Sequence, residues 1–183
     1  MKLGDRSRNK HISHGLLIIS ILALSFFAIV TSVAVNVYLH ELGHYFAASY
    51  YDLDPEMHIS NVVEMGSGGI RMNIEPEAYV KYTDSGDTLN NLLITLAGPS
   101  VNIMLFLLFM IFQITMHRRL SRKARLAERY GNQQSEKRFI RLCMLSDILL
   151  FSLAVPSLLS AVMNMSGTPG SDGEYFRELM RQI

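Results

Sequence analysis

The chain has 183 residues, of which 49% are apolar and only 18% are charged, with a formal net charge of +1. A soluble domain carries about 25% charged residues, so this composition argues against an ordinary soluble protein. The net charge is uninformative by itself, and we expect no nucleic-acid partner. The single cysteine, Cys143, excludes an internal disulfide.

The charged residues are clustered and leave long apolar runs between them. Residues 15–39 and 92–116 are uncharged runs of 25 residues each, and residues 142–165 are interrupted only by Asp147. A helix needs about 20 apolar residues to cross a bilayer. We therefore predict an α-helical integral membrane protein, multi-pass in the lipid bilayer and expected in the cell membrane. It has about three transmembrane helices, at 15–50, 92–116 and 142–165.

The N-terminal residues 1–14 form a basic tail, for which a second interpretation exists. Basic residues precede the first apolar run, and Ser32-Val33-Ala34 resembles the small-residue cleavage site of a signal peptide. Cleavage there would still leave two spans to hold the protein in the membrane.

The segments outside the three spans are polar. Residues 51–91 contain several turn signals, and the alternating stretch 70–74 together with 59–65 predicts a short β-hairpin between the first two spans. Residues 117–141 are predicted to be a basic loop. The core covers residues 15–173, and the C-terminal tail, 174–183, is expected to be a short amphipathic helix at best.

The first span ends in the sequence His40-Glu41-Leu42-Gly43-His44, an HExxH motif. On a helix, residues four apart share a face, so His40 and His44 can bind one metal ion together, and imidazole suits zinc. Glu41 lies one step around the helix, where it can take a proton from a water at the metal. Ionisable residues within a membrane helix are costly, which favours a functional interpretation.

A catalytic zinc usually has three protein ligands, so a third must come from elsewhere. His58 and His117 are conceivable but have no supporting pattern, and Asp147 is a weak candidate because it could pair with Arg141. Asp172 is the stronger candidate, since it follows the third span in a segment rich in glycine and proline that breaks the helix. The alternative for Asp172 is a solvated loop acid.

At these residues the chain resembles the site-2 proteases, which are intramembrane zinc metalloproteases. The stretch HELGHYFAA matches the first motif of that family. The resemblance implies one zinc ion per chain, with His40 and His44 as ligands and Glu41 as the catalytic acid and base.

The third motif of the family, N-x-x-P-x-P-x-x-D-G, has a counterpart on the last span. The matching positions are Asn164, Pro169, Asp172 and Gly173. This match implies that Asp172 is the third zinc ligand. Gly167 stands where the family has its first proline, which is a departure from the pattern.

Two further segments resemble parts of the same family. Residues 97–102, AGPSVN, are similar to its A-G-P-x-x-N motif, which implies that Asn102, with Asn164, binds the oxyanion or the substrate backbone. The alternative for Asn102 is helix packing through an interhelical hydrogen bond. The stretch that begins with Gly68 and Gly69 resembles a membrane-associated β-loop that pairs with unwound substrate, and a plain surface hairpin is the alternative.

The function implied is that of a zinc-dependent endopeptidase, acting in regulated intramembrane proteolysis. It would hydrolyse peptide bonds in or near transmembrane segments of membrane-protein or signal-peptide-like substrates. Two alternatives stay open. One is a catalytically silent membrane zinc protein or pseudoprotease that binds transmembrane segments. The other is a metal transporter. The small number of spans and the lack of a visible second metal cluster in the sequence argue against it. The sequence does not indicate the oligomeric state.

The charge distribution and the family resemblance imply opposite orientations of the site in the membrane. Segment 51–91 has eight acidic and two basic residues, whereas 117–141 has nine basic and two acidic residues. The positive-inside rule places 117–141 in the cytoplasm and the HExxH end of the first span on the opposite side. The family resemblance implies a site that opens toward the cytoplasm. We favour the charge argument.

Overall fold

The computed structural model describes the backbone of residues 3–59, 63–66, 69–72 and 78–183, and the side chains of residues 18–59 and 78–183. Within these residues the fold is mainly helical. Its helices are α1 (Leu3–Tyr50), α2 (Thr88–Arg129), α3 (Gln133–Met165) and α4 (Asp172–Met180). Its strands, all between α1 and α2, are β1 (Glu56–Ile59), β2 (Val63–Gly66), β3 (Gly69–Met72) and β4 (Ala78–Lys81).

Three of the helices are long and apolar enough to cross a membrane. The qualifying segments are Ile18–Tyr50, Thr88–Arg129 and Gln133–Met165, with mean hydropathies of 2.6, 2.1 and 2.0 in their most apolar windows. The prediction of about three long apolar helices is thereby confirmed at the level of length and composition.

Residues 117–141, which we expected to form a basic loop, are almost entirely helical. Helix α2 continues to Arg129, and α3 begins at Gln133. The end of the apolar run is therefore not the end of the helix, because the alanine, leucine, arginine and lysine residues that follow it are strong helix formers. The reversal occurs at Gly131, whose φ of +67° suits glycine, and Asn132 accepts a hydrogen bond from the backbone N–H of Ser135 at the start of α3.

The predicted β-hairpin between the first two spans is present. Strands β2 and β3 pair antiparallel with Gly66 opposite Gly69. A second antiparallel pair joins β1 to β4, with Glu56 opposite Lys81 and Ile59 opposite Ala78. This second pair was not predicted, because its two strands are separated by eighteen residues of chain and only non-local pairing brings them together.

The chain divides into two compact units, and the division falls within the three long helices. The first unit contains Met1–Ser32 and Leu107–Pro156. Within it, α2 and α3 form an antiparallel pair, since His117 contacts Asp147 and Ser121 contacts Cys143. The Ser32 hydroxyl joins α1 to α3 by donating to the Leu153 carbonyl at 2.8 Å.

The second unit contains Val33–Phe106 and Ser157–Ile183, and it carries the whole HExxH motif. Its parts of α1 and α2 approach closely at Gly43, where an added Cβ would lie only 2.9 Å from the Ala97 carbonyl oxygen. This close approach brings the histidines of α1 against the face of α2 that begins at Ile94.

Candidate metal centre

The two histidines of the HExxH motif lie on successive turns of α1 and point in the same direction. Their side chains are buried, and their Nε2 atoms are 3.1 Å apart. The helical spacing that suggested a shared metal ion therefore does place two nitrogen donors side by side.

Asp172 completes this group from the other end of the chain. Its Oδ2 lies 2.9 Å from His40 Nε2 and its Oδ1 lies 3.3 Å from His44 Nε2. Burial raises the pKa of Asp172, but the hydrogen bonds from the two imidazoles outweigh this effect and hold the pKa at about 2. The carboxylate is thus charged at neutral pH and directed at both nitrogens.

The chain between α3 and α4 turns the carboxylate inward. Gly167 and Gly170 have positive φ values of +71° and +78°, a conformation that glycine adopts without strain. Ser171 then caps α4 by accepting a hydrogen bond from the backbone N–H of Glu174. Gly167 therefore has a local structural reason to replace the proline of the motif, because its φ is one that proline cannot adopt.

The separations of the three donor atoms are close to those of ligands around a tetrahedral zinc ion. Zinc bonds of about 2.0–2.2 Å to nitrogen and oxygen separate neighbouring ligand atoms by about 3.3 Å. The three measured separations are 2.9, 3.1 and 3.3 Å. The residues present therefore fit the metal that the HExxH motif suggests.

Gly98 on α2 keeps the space beside these donors open. An added Cβ at Gly98 would collide with His44 Nε2 and would lie 2.8 Å from His40 Nε2. Any other residue at this position would place carbon against the Nε2 atoms of both histidines.

Hydrogen bonds on the far side of each ring orient the imidazoles. His44 Nδ1 lies 2.7 Å from the Ile94 carbonyl oxygen, to which it must donate, so Nε2 is the atom that could bind a metal once it has lost the proton it shares with Asp172. His40 Nδ1 lies 3.1 Å from the amide group of Asn102. Asn102 is completely buried and also contacts the Ser160 hydroxyl at 2.9 Å. The interhelical hydrogen bond that was the alternative for Asn102 is therefore present.

Asn164, on α3, also lies beside the ring of His40. Its Nδ2 is 3.3 Å from His40 Nδ1 and 3.4 Å from His40 Nε2. Asn164 thus faces the ring of His40, and its side chain lines the adjoining cavity.

A cavity of about 410 Å³ opens beside the three donors, and Glu41 lines it with them. Residues that the sequence analysis did not single out complete its wall. They are Ala78, Tyr79, Val80, Tyr82, Thr95, Gly170, Ser171, Glu174, Tyr175 and Glu178. Burial is the main cause that raises the pKa of Tyr82 to about 12, so its phenol stays a neutral hydrogen-bond donor. The wall residues come from separate parts of the chain, including β4 and α4, so no local pattern in the sequence could have indicated them together.

The other histidine and acidic candidates lie elsewhere. His58 stacks on Tyr79, with ring centroids 5.0 Å apart, and its Nε2 is 3.6 Å from Glu56. Asp147, for which Arg141 was the expected partner, instead has Oδ2 2.8 Å from His117 Nδ1. These two residues and Cys143 form a second group of potential metal ligands in the first unit, which the sequence analysis did not foresee.

Of the two glycines predicted to bind substrate, the structure describes only Gly69. Gly68 lies outside the described residues, and Gly69 begins β3. The strand that lines the cavity is β4, through Ala78, Tyr79 and Val80. Comparison with protein-family models, with curated proteins and with solved structures gave no match to this chain.

Proposed function

We propose that this chain is a zinc-dependent intramembrane endopeptidase, similar to the site-2 proteases. One observation carries the proposal: two imidazoles and a carboxylate converge at zinc spacing, with Glu41 on the same cavity. Zinc binding alone needs no general base, so the presence of Glu41 beside the donors favours catalysis over storage of the ion.

The membrane assignment is supported by the surface of the long helices. Only 11%, 28% and 28% of their most apolar windows are buried within the protein. Phe26 and Phe27, for example, are 63% and 67% exposed. Apolar surface on this scale is stable in the hydrocarbon of a bilayer, and in water it would drive aggregation.

The chemistry proposed is the hydrolysis of a peptide bond. When bound by His40, His44 and Asp172, zinc would polarise the scissile carbonyl and lower the pKa of the attacking water. Glu41 accepts the proton of that water and then delivers it to the nitrogen of the leaving amine. The protein thereby returns to its starting protonation state after each cleavage.

Asn102 is assigned a positioning role in this proposal. Binding of a metal through His40 Nε2 requires a proton on Nδ1, and that proton needs an acceptor. The Asn102 oxygen is buried without a hydrogen-bond partner. A half-turn of the amide brings this oxygen to both His40 Nδ1 and the Ser160 hydroxyl, which can each donate to it. Such an amide fixes the imidazole rather than contacting the substrate.

Strand β4 is the surface proposed to hold the substrate. A peptide bond in a helix is shielded by its own hydrogen bonds, so a transmembrane substrate must unwind before it is cleaved. Among the described residues, β4 hydrogen-bonds to β1 only, and Tyr79 and Val80 line the cavity. Its second edge can pair with an extended substrate segment and guide it past Glu41.

The test compares the wild-type protein with Glu41→Gln in cells. New protein N-termini are mapped across the membrane proteome, and zinc content is measured on the purified proteins. We expect termini within or next to apolar segments in the wild type only, with equal zinc in both proteins. Glu56→Gln, an exposed glutamate on β1, is the matched control and should behave as the wild type.

Two results would contradict the proposal. Identical sets of N-termini with equal zinc content would favour the silent zinc-binding protein. Zinc uptake by proteoliposomes that is unaffected by Glu41→Gln would favour the transporter. The second ligand group in the first unit removes one of the arguments against transport, so this assay is part of the test.

A further inference from the structure

The first unit contains a group of side chains that the proposed protease chemistry does not use. His117 on α2 faces Cys143 and Asp147, which lie one helical turn apart on α3. His117 Nδ1 is 2.8 Å from Asp147 Oδ2 and 3.3 Å from Cys143 Sγ, and the thiol is 3.8 Å from the same carboxylate oxygen. One nitrogen, one sulfur and one oxygen donor therefore converge on one point.

From this geometry we propose a second transition-metal site, for a zinc-class divalent ion, formed by His117, Cys143 and Asp147. Tetrahedral zinc with bonds of about 2.3 Å to sulfur and 2.0–2.1 Å to nitrogen or oxygen places sulfur about 3.6 Å from its neighbours. The same bonds place nitrogen about 3.3 Å from oxygen. The two sulfur separations of 3.3 and 3.8 Å lie on either side of 3.6 Å. The nitrogen–oxygen separation of 2.8 Å is that of a direct hydrogen bond, and it would lengthen by about 0.5 Å when the ion enters between the two atoms.

The charges and burial of the group favour a cation. A thiolate and a carboxylate together neutralise a divalent ion, and the mixture of sulfur, nitrogen and oxygen donors suits zinc better than magnesium or calcium. Cys143 is buried, and Asp147 Oδ1 is a buried oxygen without a hydrogen-bond partner. Such an oxygen is stabilised by a nearby positive charge.

The position of the group gives a metal ion access to it. A cavity of about 600 Å³ adjoins the three side chains, and His117 is 55% exposed at its side chain. His117 directly follows the uncharged run 92–116, and Cys143 lies at the start of the run 142–165. The group thus lies at the boundary between the two apolar runs and the polar sequence that joins them. An ion there would join α2 to α3 about three helical turns away from Gly131, where the chain reverses.

The test uses the full-length protein, stripped of metal and loaded with Co²⁺ under a reductant that contains no thiol. Cobalt bound to a thiolate gives an intense charge-transfer band in the near ultraviolet. Because the chain has only one cysteine, such a band can come only from Cys143. We expect the band in the wild type and its loss in Cys143→Ser.

Further variants separate this site from the one in the second unit and guard against misfolding. His40→Ala combined with His44→Ala should retain the band, so failure of the proposed protease site does not affect the result. Asp147→Asn and His117→Gln should each weaken binding of the ion more than about 100-fold, beyond the 10–100-fold typical of residues that only support a ligand. Ser121→Ala, which contacts Cys143 but supplies no ligand, is the matched control and should keep the band.

Zinc content provides a second measurement. The wild type should bind about two zinc ions per chain, and Cys143→Ser about one. Absence of the cobalt band in the wild type at saturating metal would overturn the proposal. A band that survives His117→Gln and Asp147→Asn combined would also overturn it, because the cysteine would then bind metal without the group.

Discussion

Replacement of Gly98 by alanine tests the location of the proposed zinc directly. The new methyl carbon would collide with His44 Nε2 and lie 2.8 Å from His40 Nε2, whereas ordinary contacts of a Cβ begin at about 3.4 Å. The His40 nitrogen alone must therefore recede by about 0.6 Å, three times the tolerance of about 0.2 Å on metal–ligand distances. We expect the zinc dissociation constant to rise at least about 100-fold, or about 2.7 kcal/mol.

The measurement is a zinc competition titration on detergent-purified protein that carries Cys143→Ser, so that only the site in the second unit is titrated. Circular dichroism of the metal-free form is recorded beside it. Alanine favours a helix interior over glycine by about 1 kcal/mol, so the helix content should be unchanged. Ser100→Ala is the matched control, because Ser100 is exposed two residues further along the same helix. Equal zinc affinity in the two variants would refute the assignment of the ion to the space between His40, His44 and Asp172.

Four further predictions concern the third ligand, the amide beside His40, the tyrosine of the cavity wall and the turn between α2 and α3. Asp172→Asn should weaken zinc binding about 100-fold while circular dichroism shows intact helices, whereas Asp147→Asn should leave binding at the HExxH motif unchanged. Asn102→Ala should weaken zinc binding about 10–100-fold, and unchanged binding would show that Asn102 does not orient His40. The raised pKa of Tyr82 means that the folded state favours its neutral phenol over the tyrosinate. The stability that this group contributes is fully present below about pH 10 and is lost as the pH rises toward 12. The tyrosinate absorbance of the wild type minus that of Tyr82→Phe should therefore have its midpoint near pH 12 rather than 10. A reporter fused at Gly131, in the turn between α2 and α3, should lie in the cytoplasm by the positive-inside rule, and a non-cytoplasmic reporter would favour the orientation of the family instead.

The helical part of the fold could be predicted from hydropathy, but the ends of the helices could not. Hydropathy reports where apolar sequence stops, and α2 continues for 13 residues beyond Met116, to Arg129. The strands β1 and β4 were missed because their pairing is non-local and short strands carry little periodic signal. The β2–β3 hairpin was predicted because its residues are adjacent in sequence and alternate in polarity.

The candidate site was predictable to the extent that it is local. His40, Glu41 and His44 share one helix, so their spacing alone defines their geometry. Asp172 needed the resemblance to a motif, since no local pattern relates it to α1. The hydrogen bonds of Asn102 to His40 and Ser160, and the cavity wall from β4, depend on the packing of separate elements. Sequence periodicity contains no information on such contacts.

The separation of the donors along the chain has a consequence for biosynthesis. His40 and His44 are made before Asp172, which follows His44 by 128 residues and lies on the short helix α4. A nascent chain therefore has only a two-nitrogen site while α2 and α3 are being inserted. The proposed zinc ion could be held by all three groups only after the ribosome has passed Asp172 and α4 has docked. In the proposed metalloprotease, hydrolysis would therefore be possible only once α4 has docked beside α1, so a chain without Asp172 would be inactive.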